Sequence, residues 1–79
     1  MDTFSEIYLL CTRELALILD IDSGSIPRSA TFPELGLDSA MAVHFILAVE
    51  EKLQIELDPD ILDQHPTVDS FCEYLARRL

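Results

Sequence analysis

The sequence predicts an all-α chain, a four-helix bundle with a short third helix and a long loop between helices one and two. Three observations carry that expectation. Apolar residues recur at three- and four-residue steps in three separate stretches, each opening on a residue able to cap a helix. The segment after the first of them breaks the period with Gly, Ser and Pro. No stretch alternates apolar and polar residues for long enough to read as a strand. The 79 residues leave room for one small core, so residues 1–79 are expected to form a single domain.

Thr3-Phe4-Ser5-Glu6 has the form of a capping box, and a helix is expected over about 4–19. Phe4, Ile7, Tyr8, Cys11, Leu15, Ile18 and Leu19 make its apolar stripe. From Asp20 to Leu37 the period stops at Ser23-Gly24-Ser25, Pro27 and Pro33, leaving a loop that Ile26, Phe32, Leu35 and Leu37 can pin to the core. Asp38 then caps a second helix over about 39–53. That helix carries two apolar stripes. One is Ala42, Phe45, Ile46, Val49 and Leu53; the other is Ala40, Val43 and Leu47, edged by His44, Glu50 and Glu51. So small an interior has little room for both, and the second stripe is expected at the surface. Asp58-Pro59 reads as a cap followed by Pro at the first position of a short third helix carrying Ile61 and Leu62. Thr67 caps the last helix, with Val68, Phe71, Cys72, Leu75 and Leu79 inward and Arg77 and Arg78 in its last turn.

Composition excludes several function classes. With 15 acidic and 5 basic residues, a net charge of −10, the surface repels phosphate backbones and anionic lipid, so neither nucleic acid nor membrane is an expected partner. The longest apolar runs, Leu15 to Leu19 and Phe45 to Val49, fall far short of the roughly 20 residues that cross a bilayer. No secretory leader pattern opens the chain, which points to the cytoplasm. Cys11 and Cys72 lie on predicted inward faces and read as reduced core thiols. Asp58, Asp60, Asp63 and His65 lack the glycine and closing glutamate of a calcium loop, so no metal site is expected. Ser39 and His44 are five helical steps apart, about 500° of turn, and face differently, so no hydrolytic pair and no catalytic residue is expected.

The chemistry concentrates at the start of the second helix. Ser39 is expected to be exposed beside unpaired backbone amides, where the helix dipole favours a phosphate. Phe32-Pro33-Glu34-Leu35-Gly36-Leu37-Asp38-Ser39, the pair Glu50-Glu51, and His65-Pro66-Thr67-Val68 before the final helix together resemble the acyl carrier protein family across nearly the whole chain. The resemblance implies that Ser39 is esterified with 4′-phosphopantetheine from coenzyme A by a phosphopantetheinyl transferase, making the chain a phosphoprotein. Asp38 would cap the helix and help present Ser39 to that enzyme. The arm would hold acyl intermediates as thioesters, and the chain would be a monomeric carrier with no catalysis of its own. Ala40, Val43, His44, Leu47, Glu50 and Glu51 would form the docking face for loading and condensing enzymes, an acyltransferase or ligase and a ketosynthase.

Two residues depart from the family's usual pattern. Ala40 stands where a larger apolar residue is common, and His44 stands where many fatty-acid carriers place an acid. With Leu35-Gly36-Leu37-Asp38-Ser39, these features resemble carriers of polyketide or related specialised pathways. Two alternatives stay open: a peptidyl or aminoacyl carrier, which shares arm and fold, and an acidic helical adaptor with no prosthetic group.

Overall fold

The computed structural model describes residues 2–79. Along the described residues four α-helices follow one another: α1 (Thr3–Leu19), α2 (Ser39–Leu53), α3 (Ile61–Gln64) and α4 (Val68–Arg78). The long loop between α1 and α2 holds two 3-10 turns, Ser23–Ser25 and Pro33–Leu35. Among the described residues no helix is long and apolar enough to cross a membrane.

Two helix starts differ from the sequence expectation. At α1, Asp2 rather than Thr3 is the cap: its Oδ1 accepts the Ser5 N–H at 2.7 Å, and Thr3 becomes the first helical residue. The Asp2 carboxylate, a charged acceptor, takes the Ser5 amide, and the Asp2 carbonyl takes the Glu6 amide at 3.2 Å, the one a Thr3 capping box would serve. At α3, Pro59 lies in a turn before the helix, in which Asp58 O accepts from Ile61 N at 3.1 Å. The helix begins at Ile61 after Asp60, which makes no side-chain cap bond. One turn of helix is too short to nucleate alone, and burial of Ile61, 1% exposed, decides where it lies.

The start of α4 follows its sequence signal. Thr67 Oγ1 accepts from Ser70 N at 3.1 Å while Ser70 Oγ accepts from Thr67 N at 3.1 Å, a reciprocal cap on α4. Thr67→Ala is expected to cost about 1–2 kcal/mol in urea unfolding, because the half-buried helix end loses the hydroxyl that organises both bonds.

α1 packs against both α2 and α4. Ile7, Cys11 and Leu15 line its inner face, opposite Phe45, Ile46 and Val49 from α2 and Val68, Phe71, Cys72 and Leu75 from α4. Phe32, Phe45 and Phe71 form the centre, with ring centroids 5.6–5.9 Å apart. Cys11 and Cys72 are free, fully buried and side by side; the neighbouring Cys72 thiol and then burial push the Cys11 thiol well up, away from nucleophilic chemistry.

The loop is held to this core. Ile26, Phe32 and Leu37 are buried and Leu35 packs at its edge. An antiparallel bridge joins Thr31 to Thr67, where Phe32 N donates to Pro66 O at 3.2 Å and Val68 N to Ala30 O at 3.1 Å. Arg28 lies 5.0 Å over the Phe4 ring and 5.5 Å from that of Tyr8, and its Nη2 meets Asp69 Oδ1 at 3.0 Å. The loop thereby ends on a fixed anchor directly before Ser39.

Candidate functional site

The approach to Ser39 is built from local bonds. Thr31 donates both its N–H and its hydroxyl to Glu34 Oε1 at 2.8 Å, which holds the Glu34 carboxyl below its ordinary range. Gly36 follows with φ at 90°, a left-handed conformation that any side chain would strain, and its N–H reaches Pro33 O at 3.0 Å. Leu37 N then donates to Phe32 O at 3.2 Å, and the buried Leu37 side chain fixes the residue before Asp38.

Asp38 is the N-cap of α2. Its Oδ1 accepts from Met41 N at 2.9 Å and its carbonyl from Ala42 N at 2.8 Å. Ser39, the first helical residue, is exposed, and helix geometry leaves its amide and that of Ala40 without intrahelical acceptors. An anion bonded to the Ser39 hydroxyl therefore meets free amides and the positive end of a 15-residue helix dipole. These residues fit an ester-linked phosphate.

Two grooves meet at Ser39, between α2 and α3. One, of about 310 Å3, is walled by Phe32, Leu37, Ala42, Leu62 and Pro66. The other, of about 250 Å3, is walled by Ala42, Val43, Ile46, Leu62 and Asp63. The contribution of α3 to this site was not legible in the sequence, because nothing local places a one-turn helix beside a residue more than twenty positions earlier.

The second stripe of α2 lies at the surface: Val43 is 55% and Leu47 57% exposed, and Ala40, His44 and Glu51 are exposed beside them. Helical steps of three and four residues put all five on one face. Glu50 differs. It is half-buried, and its Oε2 accepts from Leu57 N at 2.7 Å, so its carboxylate is engaged within the fold rather than offered freely with Glu51. A larger depression, about 860 Å3, is open and shallow and lies at this far end of α2, among Leu47, Glu51, Ile55 and Leu57.

Comparison with known proteins identifies the family. The family model described as the phosphopantetheine attachment site matches residues 12–75. A phenolphthiocerol/phthiocerol polyketide synthase of Mycobacterium tuberculosis is 37% identical over 67 residues, 85% of this chain and 4% of that protein. Polyketide synthase 2 of Metarhizium acridum is 38% identical over 69 residues, 84% of this chain and again 4% of the relative, so this chain spans a small fraction of the synthases it matches. Among solved structures, the HMG-ACPI domain of the CurA module from Lyngbya majuscula superposes with a TM-score of 0.87 at 28% identity, covering 96% of this chain and 77% of that one. A free-standing peptidyl carrier protein from Acinetobacter baumannii gives 0.88 at 24% identity, covering 95% and 94%, a likeness of fold. A family match that covers most of the chain, on a bundle whose second helix opens with an exposed serine, makes the protein a member of the phosphopantetheine-dependent carrier family.

Proposed function

We propose that Ser39 is the attachment point of the phosphopantetheine arm and that the cargo is an acyl intermediate of a polyketide or related specialised pathway. The observation that carries the first part is the geometry of one residue: an exposed hydroxyl at the head of α2, with a capping carboxylate beside it and free amides behind it. When bound, the arm supplies a terminal thiol that holds cargo as a thioester. Asp38 keeps the helix end formed, and Gly36 and Leu37 hold the approach, so that Ser39 reaches the transferase on a rigid element. The chain itself works as a carrier and not as an enzyme. Its likeness to polyketide synthases supports acyl over aminoacyl cargo.

Intact mass after incubation with coenzyme A and a broad-specificity phosphopantetheinyl transferase tests attachment. One arm per chain, mapped to the peptide bearing Ser39, is the expected result; an arm on Ser5, Ser23, Ser25, Ser29 or Ser70 overturns the assignment. Loading of the holo form by an acyltransferase or acyl ligase, and not by an amino-acid-activating enzyme, is the expected outcome for cargo.

Ala40, Val43, His44, Leu47 and Glu51 form the docking face in this reading, the apolar pair giving contact area and Glu51 steering basic partners. Glu51→Lys is expected to lower kcat/KM for the transferase or loading enzyme by about three- to tenfold at low salt, with unchanged melting. The deficit shrinks at high salt, where screening slows the wild type too. Equal rates at low salt place the steering charge elsewhere.

A further inference from the structure

The segment between α2 and α3 leaves the helix through a strained turn and is then held from two helices. α2 ends on Gln54 in the left-handed conformation, φ 56° and ψ 47°, a geometry that glycine adopts more readily. Glu50 O accepts from Ile55 N at 3.2 Å, and the Glu50 side chain reaches forward so that Oε2 accepts from Leu57 N at 2.7 Å. From the other side, Arg78 Nη1 of α4 donates to Glu56 O at 2.6 Å. Ile55 and Leu57 pack against the core.

Four residues beyond Leu57 the chain enters α3, whose Leu62 and Asp63 wall the grooves at Ser39. A helix of four residues has too few internal bonds to fix itself, so its position depends on burial of Ile61 and on where the preceding segment is anchored. The bond from the Leu57 amide is partly buried, and without the Glu50 carboxylate that amide loses a charge-assisted acceptor.

We infer that Glu50 is a positioning residue: by holding the Leu57 amide it fixes the segment leading into α3 and so sets the wall of the groove beside Ser39. The inference rests on the reading of Ser39 as the attachment point. Glu50 thereby acts through Leu57 and α3 at a site that lies 11 positions earlier on its own helix, rather than as a free charge for a partner.

Two substitutions separate reach from charge. Glu50→Gln keeps an oxygen acceptor at the same reach and removes the charge; Glu50→Asp keeps the charge and withdraws it by one methylene. Amide hydrogen exchange is read on the full, unmodified chain, and arm transfer from coenzyme A is read as kcat/KM at low and high salt. Glu50→Asp is expected to speed exchange of the Leu57 amide by about tenfold, to raise exchange in Ile61 to His65, and to lower kcat/KM by about fivefold at both salt concentrations. Glu50→Gln, which keeps a neutral acceptor at the same reach, is expected to change each measurement less than Glu50→Asp does and equally at both salt concentrations. The opposite pattern, loss in Glu50→Gln that fades with salt and none in Glu50→Asp, overturns the inference and makes Glu50 a steering charge. Faster Leu57 exchange in Glu50→Asp with unaltered α3 exchange or unaltered arm transfer also overturns it. Because exchange is read before any arm is attached, misassignment of Ser39 shows separately, as an arm that maps to another residue in the wild type.

Discussion

Phe71→Ala is expected to cost about 3–5 kcal/mol of stability, the range for truncating a large buried aromatic. Phe71 is fully buried, and its ring meets those of Phe32 and Phe45 at 5.9 and 5.6 Å. Those partners come from different elements: Phe32 from the loop, Phe45 from α2 and Phe71 from α4. Removing the Phe71 ring therefore loosens two attachments of α4 at once, one of them to the loop that leads to Ser39. A domain of 79 residues has only about 4–12 kcal/mol in total, so the loss is a large fraction of it and the urea midpoint should fall steeply. Urea unfolding checks this, with Leu17→Ala as the surface comparison. Leu17 is 77% exposed, and its loss is expected to change stability by no more than about 0.5 kcal/mol. A Phe71→Ala cost below about 1.5 kcal/mol shows that the neighbouring rings close the cavity.

Ser39→Ala is expected to abolish the mass gain on incubation with coenzyme A and transferase while leaving stability within about 0.5 kcal/mol of wild type. The side chain is exposed and caps nothing, so its hydroxyl adds nothing to packing or to the helix end. Asp38 behaves in the opposite way. Asp38→Ala removes the acceptor for Met41 N and is expected to cost about 1 kcal/mol, whereas Asp38→Asn keeps an acceptor and should melt nearly as wild type. Slower arm transfer in Asp38→Asn at unchanged stability then isolates a role for the charge in presenting Ser39. A Ser39→Ala protein that still gains mass refutes the assignment outright.

Features that depend on a turn or two of chain were readable from the residues alone. The bounds of α2 follow from Asp38 and the unbroken stretch to Leu53, and those of α4 from Thr67 and the charge-terminated stripe after it, because caps and helical period are set by neighbours. The division of α2 into a buried and an exposed stripe was legible too. Phe45, Ile46 and Val49 are bulkier than the small core can share with Val43 and Leu47, which remain at the surface. Packing between distant segments settled the rest. The cap of α1 moved to Asp2, a choice between adjacent acceptors that sequence pattern ranks poorly. The start of α3 moved to Ile61 because a one-turn helix forms where its buried residue docks. Glu50 looked like one of a matched acidic pair with Glu51, yet its carboxylate turns to an amide seven residues ahead, across a left-handed turn at Gln54 that has no strong sequence signal. The grooves at Ser39, the Thr31 to Thr67 bridge and the contact of Cys11 with Cys72 join residues far apart in the chain. Such contacts form only when burial of the common core outweighs the entropy of closing the loops between them, and that balance is a property of the whole fold.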